Sequence, residues 1–230
     1  MEIGILQAGH TPEALQATRG DFDTMFAQLL HGHGFTFRAY DVEQMAFPNG
    51  ADDCDGWLIT GSRHGAYEDH AFIAPLEQFI RDAYAADVPL VGICFGHQIV
   101  AQALGGTVVK WPGGWSLGRR DYRTAQGKTL ALNAWHQDQV ITLPNGATTL
   151  AASDFCQHAI VAYGRRAFTV QPHPEFSGDL IEDYVKMRKG TGTYPDDRMA
   201  EAAASTGAPV DNVHLAAAIA HFFKTRDAHV

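Results

Sequence analysis

Two short stretches, far apart in the chain, carry side chains suited to the chemistry of carbonyl groups. The first is GICFG, residues 92–96, where a run of strand-forming residues ends at Cys94 and a helix-like pattern follows at once. Gly92 and Gly96 stand two places to either side of the cysteine. That spacing reproduces a nucleophile elbow, with cysteine where hydrolases carry serine: a sharp strand-to-helix turn crowds the flanking positions, and only glycine avoids the clash. The start of the helix then lies beneath the sulfur, where its partial positive charge favours an anion. A thiol so placed is expected to be both exposed and activated. By itself the pentapeptide fits a buried free cysteine before a helix equally well.

A thiolate that attacks a carbonyl needs a proton shuttle for the leaving group, normally a histidine held by an anchor. The stretch VQPHPEF offers His173 with Glu175 two residues on. In extended backbone, residues i and i+2 point to the same side, so the carboxylate can hold one ring nitrogen while the other faces the sulfur. Pro172 and Pro174 restrict the backbone around the pair. Read alone, the pair is a turn with a surface histidine, the fate expected for most of the 12 histidines. Together with the elbow, a shuttle is the better reading. Donors for a developing oxyanion complete the requirement. The backbone N–H of Phe95 supplies one, and TGSRHG at another strand end supplies a second through Gly61 or Ser62.

The elements that must position these groups alternate through the first half. EIGILQAG, FTFRAYDV, DGWLITGS and VPLVGIC read as four strands. Between them, Thr11 is a candidate N-cap with Pro12 at the first helical position, and Phe22, Met25, Phe26 and Leu29 fall at helical spacing before Gly32 and Gly34. Ile73, Leu76, Ile80 and Tyr84 mark one face of a further helix that tolerates Pro75 in its first turn, and the helix after Cys94 ends near Gly105. Alternation at this pace predicts a parallel sheet covered on both faces, with working groups at the carboxyl ends of the strands.

Beyond residue 107 short strands follow: TVVKW, TLALNAW, QVITLP, TTLAAS, HAIVAY and AFTVQPHPE, a small mixed or antiparallel region. The stretch KWPGGWSLGRRDYR is expected to be a solvated loop packed by its tryptophans, and RKGTGTYPDD a polar loop. The tail returns to helix, with Asp211 as a candidate cap and Leu215, Ile219, Phe222 and Phe223 on one stripe.

At 230 residues with 46% hydrophobic content, one domain spanning residues 1–230 is expected. No apolar run approaches the ~20 residues of a membrane span, so a soluble cytoplasmic protein is expected. Cys54, Cys94 and Cys156 are odd in number and form no CxxC pair, which points to free thiols. The formal charge of −9 disfavours nucleic-acid and anionic-membrane binding. HGH at residues 31–33 lacks a third ligand nearby, so no metal is expected.

GICFGHQ followed downstream by QPHPE resembles the class I glutamine amidotransferases, whose pattern is GxCxGxQ with a later HPE. SLGR and WHQD are also similar to elements of that family, and the resemblance runs from the first strand to residue 176. It implies a flavodoxin-like α/β core and a triad of Cys94, His173 and Glu175, with Gly61 and Phe95 around the oxyanion. It also implies a glutamine pocket built by Ser62, Gln98 and the segment Trp135, His136 and Gln137. Two departures, GSRHG in place of a Gly-Gly-Pro-type loop and WHQD in place of SHGD, look like the stand-alone branch that includes γ-glutamyl peptidases.

The resemblance implies cysteine-dependent hydrolysis of a γ-glutamyl amide, either glutamine or a peptide, through a thioester on Cys94 and without metal or organic cofactor. A biosynthetic amidotransferase must also hand ammonia to an ATP-driven synthetase. The nearest approach to GxxxxGK[ST], DYRTAQGKT, has Tyr122 where the first glycine belongs, so a synthetase would have to be a separate subunit. The free-standing hydrolase is the favoured expectation; a ligand-sensing homologue without turnover is disfavoured by the intact Cys94, His173 and Glu175.

Overall fold

A computed structural model describes residues 1–230. Its elements are β1 (Glu2–Gln7), α1 (Glu13–Arg19), α2 (Phe22–Leu29), β2 (Thr36–Asp41), β3 (Gly56–Ile59), α3 (Ile73–Ala85), β4 (Leu90–Ile93), α4 (Phe95–Ala103), β5 (Thr107–Lys110) and β6 (Ser116–Thr124). There follow β7 (Thr129–His136), β8 (Asp138–Thr142), β9 (Ala147–Ala152), β10 (Ile160–Tyr163), β11 (Ala167–Val170), α5 (Gly178–Arg188), α6 (Asp196–Ser205) and α7 (Asn212–Thr225).

Nine strands form one sheet in the order β2-β1-β3-β4-β11-β10-β9-β6-β7. The five from β2 to β11 run parallel, the flavodoxin-like part, and the remaining pairs are antiparallel. The later strands therefore continue the main sheet, and only β5 and β8 pair apart from it. Alternation along the central strands feeds two cores. Ile3, Ile5, Leu58, Val91 and Phe168 meet α2, α5 and α7 on one face. Leu6, Trp57, Ile59 and Leu90 meet α3 and α4 on the other. Each such side chain, fully buried, contributes roughly 1.5–3 kcal/mol. No helix is long and apolar enough to cross a membrane.

Three expectations change. Thr11 does not cap α1: Pro12 takes the cap position and the buried Thr11 hydroxyl has no partner. The stretch expected as a solvated loop contains β6, paired with β7 along its length. Arginines conceal the strand pattern, but they are held: Arg119 by Asp121 and the Pro209 carbonyl, Arg120 by Glu201. Asp211 sits at the N-cap of α7 without capping it. Its carboxylate accepts from the Ala131 N–H and its own N–H donates to the Ala131 carbonyl, both at 2.7 Å, which satisfies the open edge of β7.

The tightest fit lies where β4 enters α4. A Cβ on Gly92 would stand 2.3 Å from the Gly96 carbonyl oxygen, and one on Gly96 2.2 Å from the Ile59 carbonyl oxygen. Both obstacles are backbone, so neither can swing aside. Gly92→Ala and Gly96→Ala are each expected to cost roughly 1–3 kcal/mol or more, read as a lower urea midpoint at unchanged slope; an alanine variant as stable as the parent would contradict this packing.

Candidate active site

Cys94 occupies φ 53°, ψ −104°, a conformation non-glycine residues rarely adopt. Such strain costs of order 1–3 kcal/mol and persists only where neighbours fix it. Here the Cys94 N–H donates to the Val170 carbonyl at 2.8 Å and the Gly96 N–H to the Thr60 carbonyl at 3.1 Å, so the turn is tied to β11 and to the end of β3. The residue is only 6% exposed. The expected exposed thiol is thus corrected: Cys94 lies on the floor of a cleft of about 770 Å³, walled by side chains from beyond the elbow.

The groups expected around the sulfur converge there. Phe95, as the first residue of α4, has no intrahelical acceptor for its N–H. Gly61 flanks both partners: a Cβ on it would lie 3.0 Å from His173 Cε1 and 3.8 Å from Cys94 Cβ. His173 follows β11, with its backbone N–H donating to the Asn133 carbonyl of β7 at 2.8 Å. Its Nδ1 lies 2.6 Å from Glu175 Oε1, and both side chains are buried. The imidazole lies flat on Phe176, with centroids 4.0 Å apart and planes 10° apart. Phe176 is itself stacked between Phe22 and Tyr184, and its carbonyl accepts from the Asn133 and Asn212 amides.

Burial is the largest single influence on His173 and favours the neutral ring. The Glu175 carboxylate and the Cys94 sulfur together outweigh it and raise the pKa to about 10. Burial drives His97 and His136 the other way, to about 3, so they stay neutral. The site therefore keeps a proton on the one histidine that faces the sulfur.

Ser62, Gln98, Trp135, His136 and Gln137 all line the same cleft. Much of their polar capacity is already used. The Gln98 amide donates to the Asp138 carbonyl at 3.0 Å and to Gln171 Oε1 at 3.1 Å, so its nitrogen braces β8. The Ser62 hydroxyl accepts from the His64 N–H at 3.1 Å, His136 Nδ1 donates to the Asp138 carbonyl, and the Gln137 amide donates to the Trp111 carbonyl. Trp135 packs against Tyr184 and Tyr194, at centroid distances of 5.1 and 5.3 Å. Sequence reasoning missed Tyr184, Arg188 and Tyr194, which α5 and the following polar loop bring to the cleft. Arg188 Nε is buried there without a partner. The one available signal was the helical spacing of Tyr184 and Arg188.

An α/β sheet with a cysteine elbow at a central strand, facing a buried histidine–carboxylate pair, marks a class of proteins rather than a single activity. The model of the class-I glutamine amidotransferase family matches residues 29–186, and the chain belongs to that family. It is 29% identical to a glutamine amidotransferase-like protein of Schizosaccharomyces pombe, over 96% of this chain and 97% of that one. It is also 29% identical to γ-glutamyl peptidase 3 of Arabidopsis thaliana, over 75% of this chain and 76% of that one. Glutamine-hydrolysing GMP synthases match over 64% of the chain or less. The crystal structure of a glutamine amidotransferase from Methylobacillus flagellatus shares the fold, with a TM-score of 0.77, 21% identity and coverage of 98% of this chain and 92% of that one.

Two measurements probe the geometry. Burial raises the thiol pKa of Cys54 and pushes that of Cys156 to about 12. Mass labelling with a glutamine-like electrophile is therefore expected to modify Cys94 well before either; equal labelling of the three would remove Cys94 from its role. NMR titration should place the His173 ring near 10, and Glu175→Gln should lower it by roughly 1–3 units. Because the folded value lies above the unfolded one of about 6.5, the stability this pair contributes is complete below that pH and is lost as pH rises through about 10. A ring that titrates alike in both proteins would break the assignment.

Proposed function

We propose that the protein is a cysteine-dependent hydrolase of γ-glutamyl amides, glutamine or a γ-glutamyl peptide, working through a γ-glutamyl thioester on Cys94. The observation that carries this reading is a strained elbow cysteine beside a histidine whose far nitrogen is held 2.6 Å from a buried carboxylate. Cys94 Sγ attacks the γ-carbonyl carbon as the thiolate, and the oxyanion is received by the Phe95 and Gly61 N–H groups. His173 gives its proton to the leaving nitrogen, the C–N bond breaks, and the acyl group stays on sulfur. Water then attacks the thioester and yields a proton to His173, the C–S bond breaks, and glutamate departs with the thiolate restored. Glu175 keeps the ring oriented and favours its protonated form. Loss of one oxyanion donor costs about 10²–10³ in rate.

The size and lining of the cleft favour a peptide over free glutamine. Its volume of about 770 Å³ falls in the range that encloses drug-sized ligands. Trp115, Trp135, Tyr184 and Tyr194 form one wall, and Arg188 also lines the cleft. The similarity to a γ-glutamyl peptidase over three quarters of the chain supports the same choice.

Release of glutamate from glutamine and from γ-glutamyl dipeptides tests the reading. The peptides are expected to be the better substrates, and Cys94→Ala is expected to lose roughly 10³-fold or more in kcat/KM. Activity on glutamine alone, raised by a synthetase partner, would instead select an ammonia-delivering subunit. Turnover that survives Cys94→Ala would sink both.

A further inference from the structure

A second cluster of chemically capable side chains stands at the outer rim of the cleft, on the loop between β3 and α3. One ligand atom from each of His64, Glu68 and His70 lies within 4.8 Å of the other two. We propose that these three residues hold a divalent transition-metal ion, with Zn²⁺ the best match to two imidazoles and a carboxylate.

The distances from Glu68 to the two imidazoles bracket those around a tetrahedral ion, and the rings, with centroids 3.9 Å apart, would have to swing apart to admit it. Glu68 Oε2 lies 2.9 Å from His70 Nε2 and 3.7 Å from His64 Nδ1. Bonds of about 2.0–2.1 Å in a tetrahedron put ligand atoms roughly 3.3 Å apart, between those values. Both imidazoles pack on Phe72, and the His64 backbone N–H donates to Ser62 Oγ.

Independent support comes from the layer behind the ligands. His64 Nε2 lies 3.0 Å from Glu43 Oε1, and the Glu43 side chain is only 9% exposed. A carboxylate that accepts from the far nitrogen of an imidazole orients the ring and raises its basicity toward a metal. With the proton on Nε2 toward Glu43, the Nδ1 lone pair faces Glu68. Arg63, mostly exposed, also reaches this pair, with Nε 3.4 Å from His64 Nε2 and Nη2 3.1 Å from Glu43 Oε1. His64 Nδ1 and Glu68 Oε2 then face each other at 3.7 Å, and a cation among the three would replace the hydrogen bond that Glu68 Oε2 now shares with His70 Nε2. Glu43 and Glu68 against Arg63 leave one net negative charge, which also favours a cation. The comparable trio His221, Asp227 and His229 has mostly exposed members and no carboxylate behind it.

The ion's place is structural. The same loop begins with Gly61 and Ser62, so a metal at His64, Glu68 and His70 would clamp its outer limb while Cys94 and His173 act without it. It does not depend on the γ-glutamyl reading.

The test uses the full chain carrying His221→Ala, His229→Ala and Cys94→Ala to remove competing ligands. After stripping with a chelator, it is titrated with Zn²⁺ against a chromophoric competitor. One equivalent is expected to bind, and Co²⁺ is expected to give the visible bands of a four-coordinate site. Glu43→Gln should weaken binding roughly 10–100-fold, and His64→Ala, His70→Ala or the isosteric Glu68→Gln at least as much. Absence of stoichiometric binding would overturn the site and leave a proton-sharing histidine–carboxylate network; so would an affinity unmoved by these variants.

Discussion

The arrangement of the whole site depends on one strained turn. Cys94 can hold φ 53° only because β4 is pinned on both sides, by β3 at Ile59 and Gly92 and by β11 at Ile93 and Val170. That register has a second consequence. Val170 lies beside Ile93 in parallel, so both chains leave the sheet at the same edge, one into Cys94 and the other toward His173. The sulfur and the imidazole, far apart in sequence, meet because two adjacent parallel strands end level. Strand order therefore does at the level of topology what a short motif does locally.

Stability alone does not explain the charges gathered there. Burying ionised partners costs several kcal/mol per ion, and a buried pair is often replaceable by apolar groups without loss. Glu175 is buried completely, and its Oε2 has no hydrogen-bond partner. A half-satisfied buried carboxylate is expensive, and what the chain gains is a proton kept on His173 well above neutral pH. The flat stack on Phe176 then limits how the ring can turn. Strain at Cys94 and desolvation at Glu175 are offset by the two cores around the sheet, which is where most of the apolar residues lie.

Much of this was legible in the sequence because it rests on short-range rules. The elbow needs glycine at fixed offsets, and the central strands are runs too apolar for any exposed fate; His173 and Glu175 do meet, but through a turn closed by the Phe176 N–H on the His173 carbonyl rather than through the extended chain expected. What was not legible depends on neighbours distant in sequence. β6 is written in arginines that look solvated until Asp121 and Glu201 are placed beside Arg119 and Arg120. Asp211 has a capping residue's chemistry, but the open edge of β7 competes for it and wins. Gln98 looked free to bind a ligand because nothing local shows that Gln171 and the Asp138 carbonyl reach its amide. Cys94 looked exposed because the elbow is local and the cleft walls are not.

Those walls are built differently from the floor. The groups around the sulfur sit on strand ends and on the first turn of α4, where backbone hydrogen bonds set positions closely. The aromatic wall joins Trp135 at the end of β7 to Tyr184 on α5, and Trp115 to Tyr194 in the polar loop before α6. These contacts are side-chain packing, which tolerates a change of shape more readily than a hydrogen-bonded turn does. Gly92 or Gly96 cannot change without displacing backbone, whereas the contacts of Tyr194 are with Trp115 and Trp135, away from the elbow turn. A chain built this way fixes the groups around Cys94 at the sheet and leaves the outer shape of the cleft to its helices and loops.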